Sequence, residues 1–428
     1  MATIKIRGGQ RLVGTVRVDS AKNGVLPVMA AALLASSGET IIEEVPNLSD
    51  VEVFSDILRS LGGHADRLPD GRLRICAQNI HSTMAPEDLA RKMRASIYVA
   101  GALLGRMGHF RVPLPGGCNI GERPVDQHIK GFEALGATIK IEHGYVEGYV
   151  HGRLKGARVY FDLVSFGATV NTMLAAVLAE GQTIIENAAK EPEIVDLANY
   201  LHRMGAEVHG AGTDVIRIVG VDRLVGGQHA VIPDRIEAGT YMIAAAITRG
   251  DVFVQGAIYN HLSSLCAKLR EAGVTIEDDI TGIRVSVDGP LKAVDLKTLP
   301  HPGFPTDLQA QMLAFLTTVE GVSIVTETVF ENRFLYVGEL RRMGVDVKTE
   351  GRAAIVEGVS ELTGAAVKAT DLRAGAALIL AGLVAEGETF VSGVEHLDRG
   401  YSDLVGKLRG LGADLWRTDE LRLVKAAQ

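Results

Sequence analysis

Residues Phe132–Glu142 read FEALGATIKIE, and this stretch decides the fold because the chain repeats its pattern six times. In each copy a helix end, a glycine and a strand follow one another. A glycine at a helix end is typical of a left-handed cap. The repeat predicts six units of about 70 residues. The aligned glycines lie 74, 69, 68, 71 and 68 residues apart, at Gly62, Gly136, Gly205, Gly273, Gly344 and Gly412.

A second pattern recurs between the copies of the first, in which an apolar helix ends at a glycine and a strand follows. These helices are apolar nearly all round and are predicted to be buried, whereas those of the first pattern carry charges and are predicted to be amphipathic. Six units suit two α/β domains with buried helices inside and sheets around them. A solenoid is the alternative, but units this long and few do not favour it. The second set of glycines is Gly38, Gly108, Gly181, Gly250, Gly321 and Gly387.

Composition excludes several classes of protein. Of the 428 residues, 47% are apolar and 22% charged, and the net charge is −8 without a basic stripe, so we expect no nucleic-acid partner. The longest clean apolar run is too short to span a membrane. Cys76, Cys118 and Cys266 match neither a disulfide framework nor a zinc pattern. We therefore expect a reduced, cytoplasmic protein without a metal or a cofactor.

Polar residues precede each apolar helix, where free backbone N–H groups and a partial positive charge favour anions. Helix capping alone would explain why a single Ser or Asp stands at a helix start. It does not explain the cations Lys22, Arg94, Arg235 and Arg373, which oppose the helix dipole unless an anion joins them. The pattern predicts an anion-binding centre. The residues at these starts are Lys22, Asn23, Arg94, Ser165, Gly167, Asp234, Arg235, Asp307, Asp371 and Arg373.

Four loops after the second set of glycines also carry charged residues. For any single arginine a surface ion pair is the simpler interpretation, but repeat-equivalent positions together suggest a site. These residues are Arg123, Asp126, Glu191, Arg333 and Arg399.

The loop of the second unit, PLPGGCNIGERPVDQH from Pro113 to His128, is about four residues longer than its equivalents. Its surplus holds Pro-Gly-Gly-Cys, which places Cys118 near a mobile tip. A free cysteine is usually buried and inert, an interpretation that fits Cys76 and Cys266 better. Beside Arg123 the Cys118 thiol is expected to be accessible, with a lowered pKa, and able to act as an acid or a nucleophile.

The whole chain resembles the UDP-N-acetylglucosamine enolpyruvyl transferases. The matching motifs are AKNGVLP, MRASIY, PGGCNIGERPVD, IIENAAKEPEIVD, PDRIEAGTYM, GFPTDLQAQ, TETVFENRF, ATDLRAG and LDRGY. The resemblance implies two inverse α/β barrel domains of three repeats each, with substrates bound in the cleft between them. One domain would span residues 22–232, and the other would combine residues 1–21 with 233–428.

The family reaction moves the enolpyruvyl group of phosphoenolpyruvate to the 3′-hydroxyl of UDP-N-acetylglucosamine and releases phosphate, the first committed step of peptidoglycan synthesis. Two anionic substrates would account for cations in an acidic protein. The resemblance does not give the oligomeric state. The residues implied for phosphoenolpyruvate are Lys22, Asn23, Arg123, Arg333, Arg373 and Arg399. Those implied for the nucleotide sugar are Arg94, Arg123, Pro124, Val125, Asp126, Gln127, Leu163, Val164, Ser165, Phe166, Asp307 and Val329.

The resemblance also implies roles in catalysis. Asp307 would be the base for the 3′-hydroxyl, and Cys118 the acid that protonates the methylene carbon and the target of fosfomycin. Lys22 and Arg399 would act on the phosphate and carboxylate of phosphoenolpyruvate. The expected supporting residues are Glu191, Asp234, Arg235 and Asp371.

Some positions depart from the family pattern. Ser20 and Gly24 stand in DSAKNG where members often read SGAKNA, and Leu163 stands where some have lysine. Asp19 near Lys22 and Glu122 beside Arg123 add negative charge. These departures bear on substrate affinity more than on reaction type.

Two alternatives remain. The sister transferase that acts on shikimate 3-phosphate shares the fold, but its GNAGTAMR motif is not in this sequence. A non-catalytic paralogue would bind the UDP-sugar without turnover.

Overall fold

A computed structural model describes residues 2–114, 125–359 and 361–418. Within these residues the chain forms two compact units. The central unit comprises residues 19–114 and 125–232, and the terminal unit comprises residues 2–18, 233–359 and 361–418. Each unit has its own apolar core.

The helices alternate between apolar and charged sequences along the chain. They are α1 (Lys22–Ala32), α2 (Ser49–Ser60), α3 (Glu87–Ala90), α4 (Tyr98–Met107), α5 (Asp126–Ala134), α6 (Phe166–Ala176), α7 (Pro192–Met204), α8 (Arg235–Ile247), α9 (Ser263–Glu271), α10 (Gln309–Leu316), α11 (Val337–Arg341), α12 (Leu372–Gly382) and α13 (Leu404–Gly410). Short 3-10 turns span Arg94–Ile97, Tyr259–His261, Thr306–Leu308 and Val394–Arg399.

The strands are short, most of them of three to five residues. They are β1 (Thr3–Arg7), β2 (Val13–Arg17), β3 (Ala35–Ser37), β4 (Thr40–Glu43), β5 (His64–Arg67), β6 (Leu73–Cys76), β7 (His109–Pro113), β8 (Thr138–Glu142), β9 (Tyr145–Tyr149), β10 (Arg158–Tyr160), β11 (Gln182–Glu186), β12 (Glu207–His209), β13 (Val215–Val219), β14 (Leu224–Val225), β15 (Gln228–Ala230), β16 (Asp251–Gln255), β17 (Thr275–Asp279), β18 (Gly282–Ser286), β19 (Leu296–Lys297), β20 (Val322–Thr326), β21 (Asp346–Glu350), β22 (Ala353–Glu357), β23 (Ala366–Lys368), β24 (Glu388–Ser392) and β25 (Asp414–Thr418).

The inner helices α1, α4, α6, α8, α10 and α12 are buried, as their sequences predict. Every residue of α6 from Ala168 to Ala176 is buried, for example. Helices α4 and α6 approach so closely that a Cβ at Gly101 would lie 2.3 Å from the carbonyl oxygen of Asn171. Glycine at this position therefore permits the close packing.

The outer helices α2, α5, α7, α9, α11 and α13 bury one face, which confirms the expected amphipathic pattern. In α2, Phe54 and Leu58 are buried, whereas Asp56 and Arg59 are exposed. The six glycines of the first pattern all have positive φ, from 88° to 104°, as expected for left-handed caps. In the second set Gly250 differs, because Arg249 takes the left-handed conformation instead, with φ 50°.

Each unit contains three small sheets of three or four strands, and β14 pairs with β3 in a separate two-stranded sheet of the central unit. The sheet orders are β15-β4-β6-β5, β7-β9-β8 and β10-β11-β13-β12 in the central unit, and β2-β16-β18-β17, β19-β20-β22-β21 and β23-β24-β1-β25 in the terminal unit. Strand β1 lies between β24 and β25 and is antiparallel to both, with Ile4 opposite Val391 and Arg417. Strand β2 pairs in parallel with β16. The N-terminal strands thereby complete sheets of the terminal unit.

Candidate active site

The inner helices of the terminal unit begin at aspartates. Asp234 caps α8, because its Oδ1 accepts hydrogen bonds from the backbone N–H groups of Ile236 at 2.7 Å and Glu237 at 3.0 Å. Asp371 caps α12 in the same way through the N–H groups of Arg373 and Ala374, at 2.9 and 3.0 Å. Capping therefore accounts for the position of both carboxylates.

Asp307 has a different role from the capping aspartates. Its Oδ1 accepts a hydrogen bond from Arg333 Nη2 and its Oδ2 one from Arg373 Nη2, both at 3.0 Å. The side chains of Arg333 and Arg373 are 2% and 6% exposed, against 27% for Asp307. One carboxylate on a 3-10 turn therefore joins two nearly buried guanidinium groups.

Arg373 keeps its positive charge inside the unit. Burial lowers the pKa of Arg373, but Asp307, Tyr401 and Asp234 together outweigh it, and the pKa lies above its ordinary value. Nη1 of Arg333 is buried and has no hydrogen-bond partner among the described residues. A buried donor of this kind costs free energy unless a ligand meets it, which suits the predicted anion site.

A polar network behind Arg373 was not predicted. The hydroxyl of Tyr401 lies 2.9 Å from Thr240 Oγ1 and 3.4 Å from Arg373 Nη1. Gln311 Nε2 donates to the backbone oxygen of Asp307 at 3.0 Å and to Thr240 Oγ1 at 3.2 Å. The motifs GFPTDLQAQ and LDRGY contain Gln311 and Tyr401, but nothing in the sequence indicates that they meet.

In the central unit the first inner helix begins at a cation. Helix α1 starts at Lys22, and no side chain among the described residues caps it. Lys22 Nζ lies 2.7 Å from Asp50 Oδ2, and both side chains are largely buried. Asp50, on the first turn of α2, was missed because a lone aspartate there looks like an ordinary helix-start residue. Asn23 follows Lys22 on α1 and is half-buried.

The second inner helix of this unit also begins at a cation. Arg94 opens the 3-10 turn that leads into α4, and it is half-buried. Within the described residues no side chain caps this turn. Lys22 and Arg94 are therefore the two predicted cations at helix starts without an aspartate cap, whereas Arg235 and Arg373 follow Asp234 and Asp371.

The start of α5, residues 125–127, contacts the segment of residues 162–166 before α6. Gln127 Oε1 accepts a hydrogen bond from the backbone N–H of Asp162 at 2.9 Å, and Gln127 Nε2 donates to Asp126 Oδ2 at 2.8 Å. Lys130 Nζ lies 2.7 Å from Asp162 Oδ2. The predicted residues Val125, Asp126 and Gln127 are thus brought close to the predicted segment of Leu163, Val164, Ser165 and Phe166.

The segment before α6 is accessible. The Leu163 side chain is 68% exposed, and Val164 and Phe166 are half-buried. Ser165 caps α6 through a hydrogen bond from the N–H of Ala168 at 3.2 Å. Leu163 is therefore available for contact with a ligand, but it supplies no charge.

His128 lies on α5 beneath this segment. Its Nδ1 is 2.8 Å from Asn171 Nδ2, which makes Nδ1 the acceptor and places a hydrogen on Nε2 in the neutral ring. Burial lowers the pKa of His128 to about 4, although the charge of Asp126 acts in the opposite direction. His128 is therefore neutral near pH 7.

The remaining predicted residues lie at ends of short elements. Glu191 precedes α7, Arg235 is the first residue of α8, and Arg399 ends the 3-10 turn Val394–Arg399. Val329 lies after β20 and is 39% exposed. Cys118, Glu122, Arg123 and Pro124 lie outside the described residues, so their predicted roles stay predictions.

The other two cysteines differ in burial. Cys266 on α9 is fully buried, and burial raises its pKa to about 11, as expected of an inert thiol. Cys76 at the end of β6 is only half-buried, so the expectation of a buried thiol holds less well there.

No helix in the described ranges is long and apolar enough to cross a membrane.

The fold is that of an enolpyruvyl transferase. The sequence model of the EPSP synthase (3-phosphoshikimate 1-carboxyvinyltransferase) family matches residues 6–408, and the chain belongs to this family.

Two curated relatives are both named UDP-N-acetylglucosamine 1-carboxyvinyltransferase 1. That of Halalkalibacterium halodurans is 58% identical, over 98% of this chain and 95% of its own length. That of Staphylococcus epidermidis is 56% identical, over 98% of this chain and 100% of its own length. The resemblance read from the sequence motifs is confirmed.

Solved structures confirm the predicted fold class. The enolpyruvyl transferase NikO from Streptomyces tendae superposes with a TM-score of 0.87 at 26% identity, covering 97% of this chain and 99% of its own. EPSP synthase from Acinetobacter baumannii superposes with a TM-score of 0.76 at 19% identity, covering 98% and 100%. At that identity the second likeness shows the fold alone.

Proposed function

We propose that this protein transfers the enolpyruvyl group of phosphoenolpyruvate to the 3′-hydroxyl of UDP-N-acetylglucosamine. The observation that carries the proposal is the Asp307 carboxylate bound to two nearly buried arginines in a chain 58% identical to a curated enzyme of that name. Arg333 and Arg373 supply positive charge for phosphoenolpyruvate, and the same segments hold the predicted base.

The proposed reaction is an addition followed by an elimination. The 3′-oxygen bonds to C2 of phosphoenolpyruvate while its proton passes to Asp307, and C3 takes a proton from Cys118. The intermediate then loses the C3 proton and phosphate, which restores the double bond. When the substrate anion takes over contacts of Arg333 and Arg373, we expect the Asp307 carboxylate to become available for the hydroxyl proton.

Residues of both units are assigned to substrates as the resemblance implies. Lys22, Asn23, Arg123, Arg333, Arg373 and Arg399 hold phosphoenolpyruvate. Arg94, the residues 123–127, the residues 163–166, Asp307 and Val329 hold the nucleotide sugar. Glu191, Asp234, Arg235 and Asp371 support these side chains. The hydrogen bonds between Gln127 and Asp162 support the nucleotide-sugar assignment, because they join two of its segments.

We also propose the domain boundaries 22–232, and 1–21 with 233–428. The compact units change at residues 18–19 and 232–233, close to these limits. A place in peptidoglycan synthesis follows from the proposed reaction. A cytoplasmic location rests on the cysteine usage alone.

The test measures phosphate release by the purified chain from phosphoenolpyruvate with UDP-N-acetylglucosamine, and in parallel with shikimate 3-phosphate. We expect release with the UDP-sugar only, its loss in Cys118→Ser, and time-dependent inactivation by fosfomycin. Release with shikimate 3-phosphate alone would support the sister activity. Binding of the UDP-sugar without any release would support the non-catalytic paralogue.

A further inference from the structure

Glu327, which directly follows strand β20, lies in the motif TETVFENRF, but the sequence assigned its carboxylate no role. Its side chain is fully buried. Oε1 accepts hydrogen bonds from Thr298 Oγ1 at 2.9 Å and from the backbone N–H groups of Val329 and Phe330 at 2.7 and 3.1 Å. Oε2 accepts one from Thr306 Oγ1 at 2.9 Å. One carboxylate thus receives four donors from three segments of the chain.

These contacts join two segments that carry predicted site residues. Thr306 is the residue before Asp307 on the 3-10 turn, and Val329 is itself predicted to touch the nucleotide sugar. The same segment continues to Arg333, whose Nη2 lies 3.0 Å from Asp307 Oδ1. The hydrogen bonds and the chain therefore form a closed circuit through Glu327, Thr306, Asp307, Arg333 and Val329.

The equivalent position in other repeats shows that the turn itself does not need a buried carboxylate. The residue six positions after the second-pattern glycine has positive φ in four repeats: Glu44 at 50°, Asn187 at 57°, Gly256 at 87° and Gly393 at 73°. Glu44 is exposed there. Glu327 does not adopt this left-handed conformation. The fifth repeat therefore replaces a backbone turn with side-chain hydrogen bonds.

Burying a carboxylate costs free energy unless hydrogen-bond donors compensate it. In four other repeats the chain makes the equivalent turn without a buried carboxylate. A carboxylate whose two oxygens hold different segments also fixes the distance between those segments. We propose that Glu327 is a positioning residue that sets Asp307 and Val329 relative to each other for the nucleotide sugar. This inference rests on the proposed function. It assigns Glu327 to acceptor binding rather than to phosphoenolpyruvate.

The test compares Glu327→Gln with Thr306→Val in steady-state kinetics for both substrates. The amide replaces one acceptor oxygen with a donor, and the valine removes only the bond to the Asp307 turn. We expect the kcat/KM for UDP-N-acetylglucosamine to fall roughly 10- to 100-fold in Glu327→Gln, through a lower kcat and a higher KM, because misplacement of a reacting group by about 1 Å can cost about that much in rate. The KM for phosphoenolpyruvate is expected to stay near that of the wild type. Thr306→Val is expected to show the same selective change at a smaller size.

The control is Asp403→Ala, which removes the cap of α13, where Asp403 Oδ1 accepts from the N–H of Gly406 at 2.9 Å. It is expected to lower thermal stability and leave both KM values unchanged. An unchanged kcat/KM for UDP-N-acetylglucosamine in both Glu327→Gln and Thr306→Val, or KM values that rise equally for both substrates, would show a purely structural role and overturn the inference. If Glu327→Gln does not fold, Thr306→Val alone decides. Wild-type turnover in the same assay tests the proposed function separately.

Discussion

The inner helices of the two units begin differently. In the terminal unit Asp234 and Asp371 cap α8 and α12, and Asp307 precedes α10. In the central unit α1 and the turn before α4 begin at Lys22 and Arg94, where no described side chain caps them, and α6 has the neutral cap Ser165. The terminal unit therefore supplies its own carboxylates to its helix starts. The central unit places cations at helix starts that no described side chain caps, and the partial positive charge of a helix start favours an external anion.

The largest effect is expected at Asp307. In Asp307→Asn the proposed base is lost, so turnover should fall roughly 10²- to 10⁴-fold. Arg333 and Arg373 also lose their shared counter-charge, which should lower stability. Phosphate should then raise the melting temperature of the variant more than that of the wild type, because it replaces the missing charge. Calorimetric scans with and without phosphate measure this difference. An equal phosphate effect in both proteins would contradict the anion role of the two arginines.

The next largest effect is expected on the KM for phosphoenolpyruvate, and it should differ between a cation of the central unit and one of the terminal unit. Lys22→Met should raise the KM for phosphoenolpyruvate roughly 10- to 100-fold, as loss of a charge-assisted contact does. Arg235→Met should change it less, because Asp234 already compensates that helix start. Steady-state kinetics measure both.

A control separates Lys22's contact with substrate from its pairing with Asp50. The double variant Lys22→Met/Asp50→Asn removes the buried ion pair as a whole. It should regain stability relative to Lys22→Met, since no uncompensated carboxylate remains, while its KM stays high. A KM that recovers together with stability would assign Lys22 to structure alone.

Much of this contrast could be predicted from the sequence, because periodic patterns carry it. The recurring pattern of a helix, a glycine and a strand predicted the six repeats. The polar residues before the apolar runs predicted where the inner helices begin. Asp50, Gln311, Tyr401 and Glu327 could not be found this way. Each has a partner 21 to 161 residues away along the chain, and the pairing depends on tertiary packing that no local pattern encodes. Similarly, ordinary capping by Asp234 could be told apart from the ion-paired Asp307 only by their contacts.

A third prediction concerns acid stability, to which a buried histidine of the central unit contributes. The pKa of His128 in the folded central unit is about 4, below the ordinary value of 6.5 for histidine. Between these pH values the unfolded chain binds a proton that the folded chain does not, so stability falls as the pH drops from about 6.5 toward 4. The loss reaches up to about 3 kcal/mol at pH 4. Urea unfolding at pH 7, 6 and 5 should show a weaker pH dependence in His128→Gln.

His301 in the terminal unit serves as the comparison for this measurement. Burial, together with the charges of Arg235 and His261, lowers its pKa to about 4 as well. Part of the acid dependence should therefore persist in His128→Gln. An unchanged slope in that variant would show that His128 does not resist protonation.

The smallest effect is expected at the caps themselves. Asp371→Ala removes two hydrogen bonds to the first turn of α12 and should lower the free energy of unfolding by about 1 kcal/mol. Ser165→Ala in the central unit removes one and should cost less. Chemical denaturation measures both values. A larger loss in Ser165→Ala would contradict the assignment of the stronger caps to the terminal unit.

The central claim is that this chain joins phosphoenolpyruvate to the 3′-oxygen of UDP-N-acetylglucosamine. The most direct measurement follows a mixture of the purified wild-type chain and both substrates by ³¹P and ¹H nuclear magnetic resonance. The account predicts equal amounts of inorganic phosphate and a new enolpyruvyl ether on the sugar, with the UDP group intact. Phosphate without the ether, or neither product while both substrates remain, would contradict it.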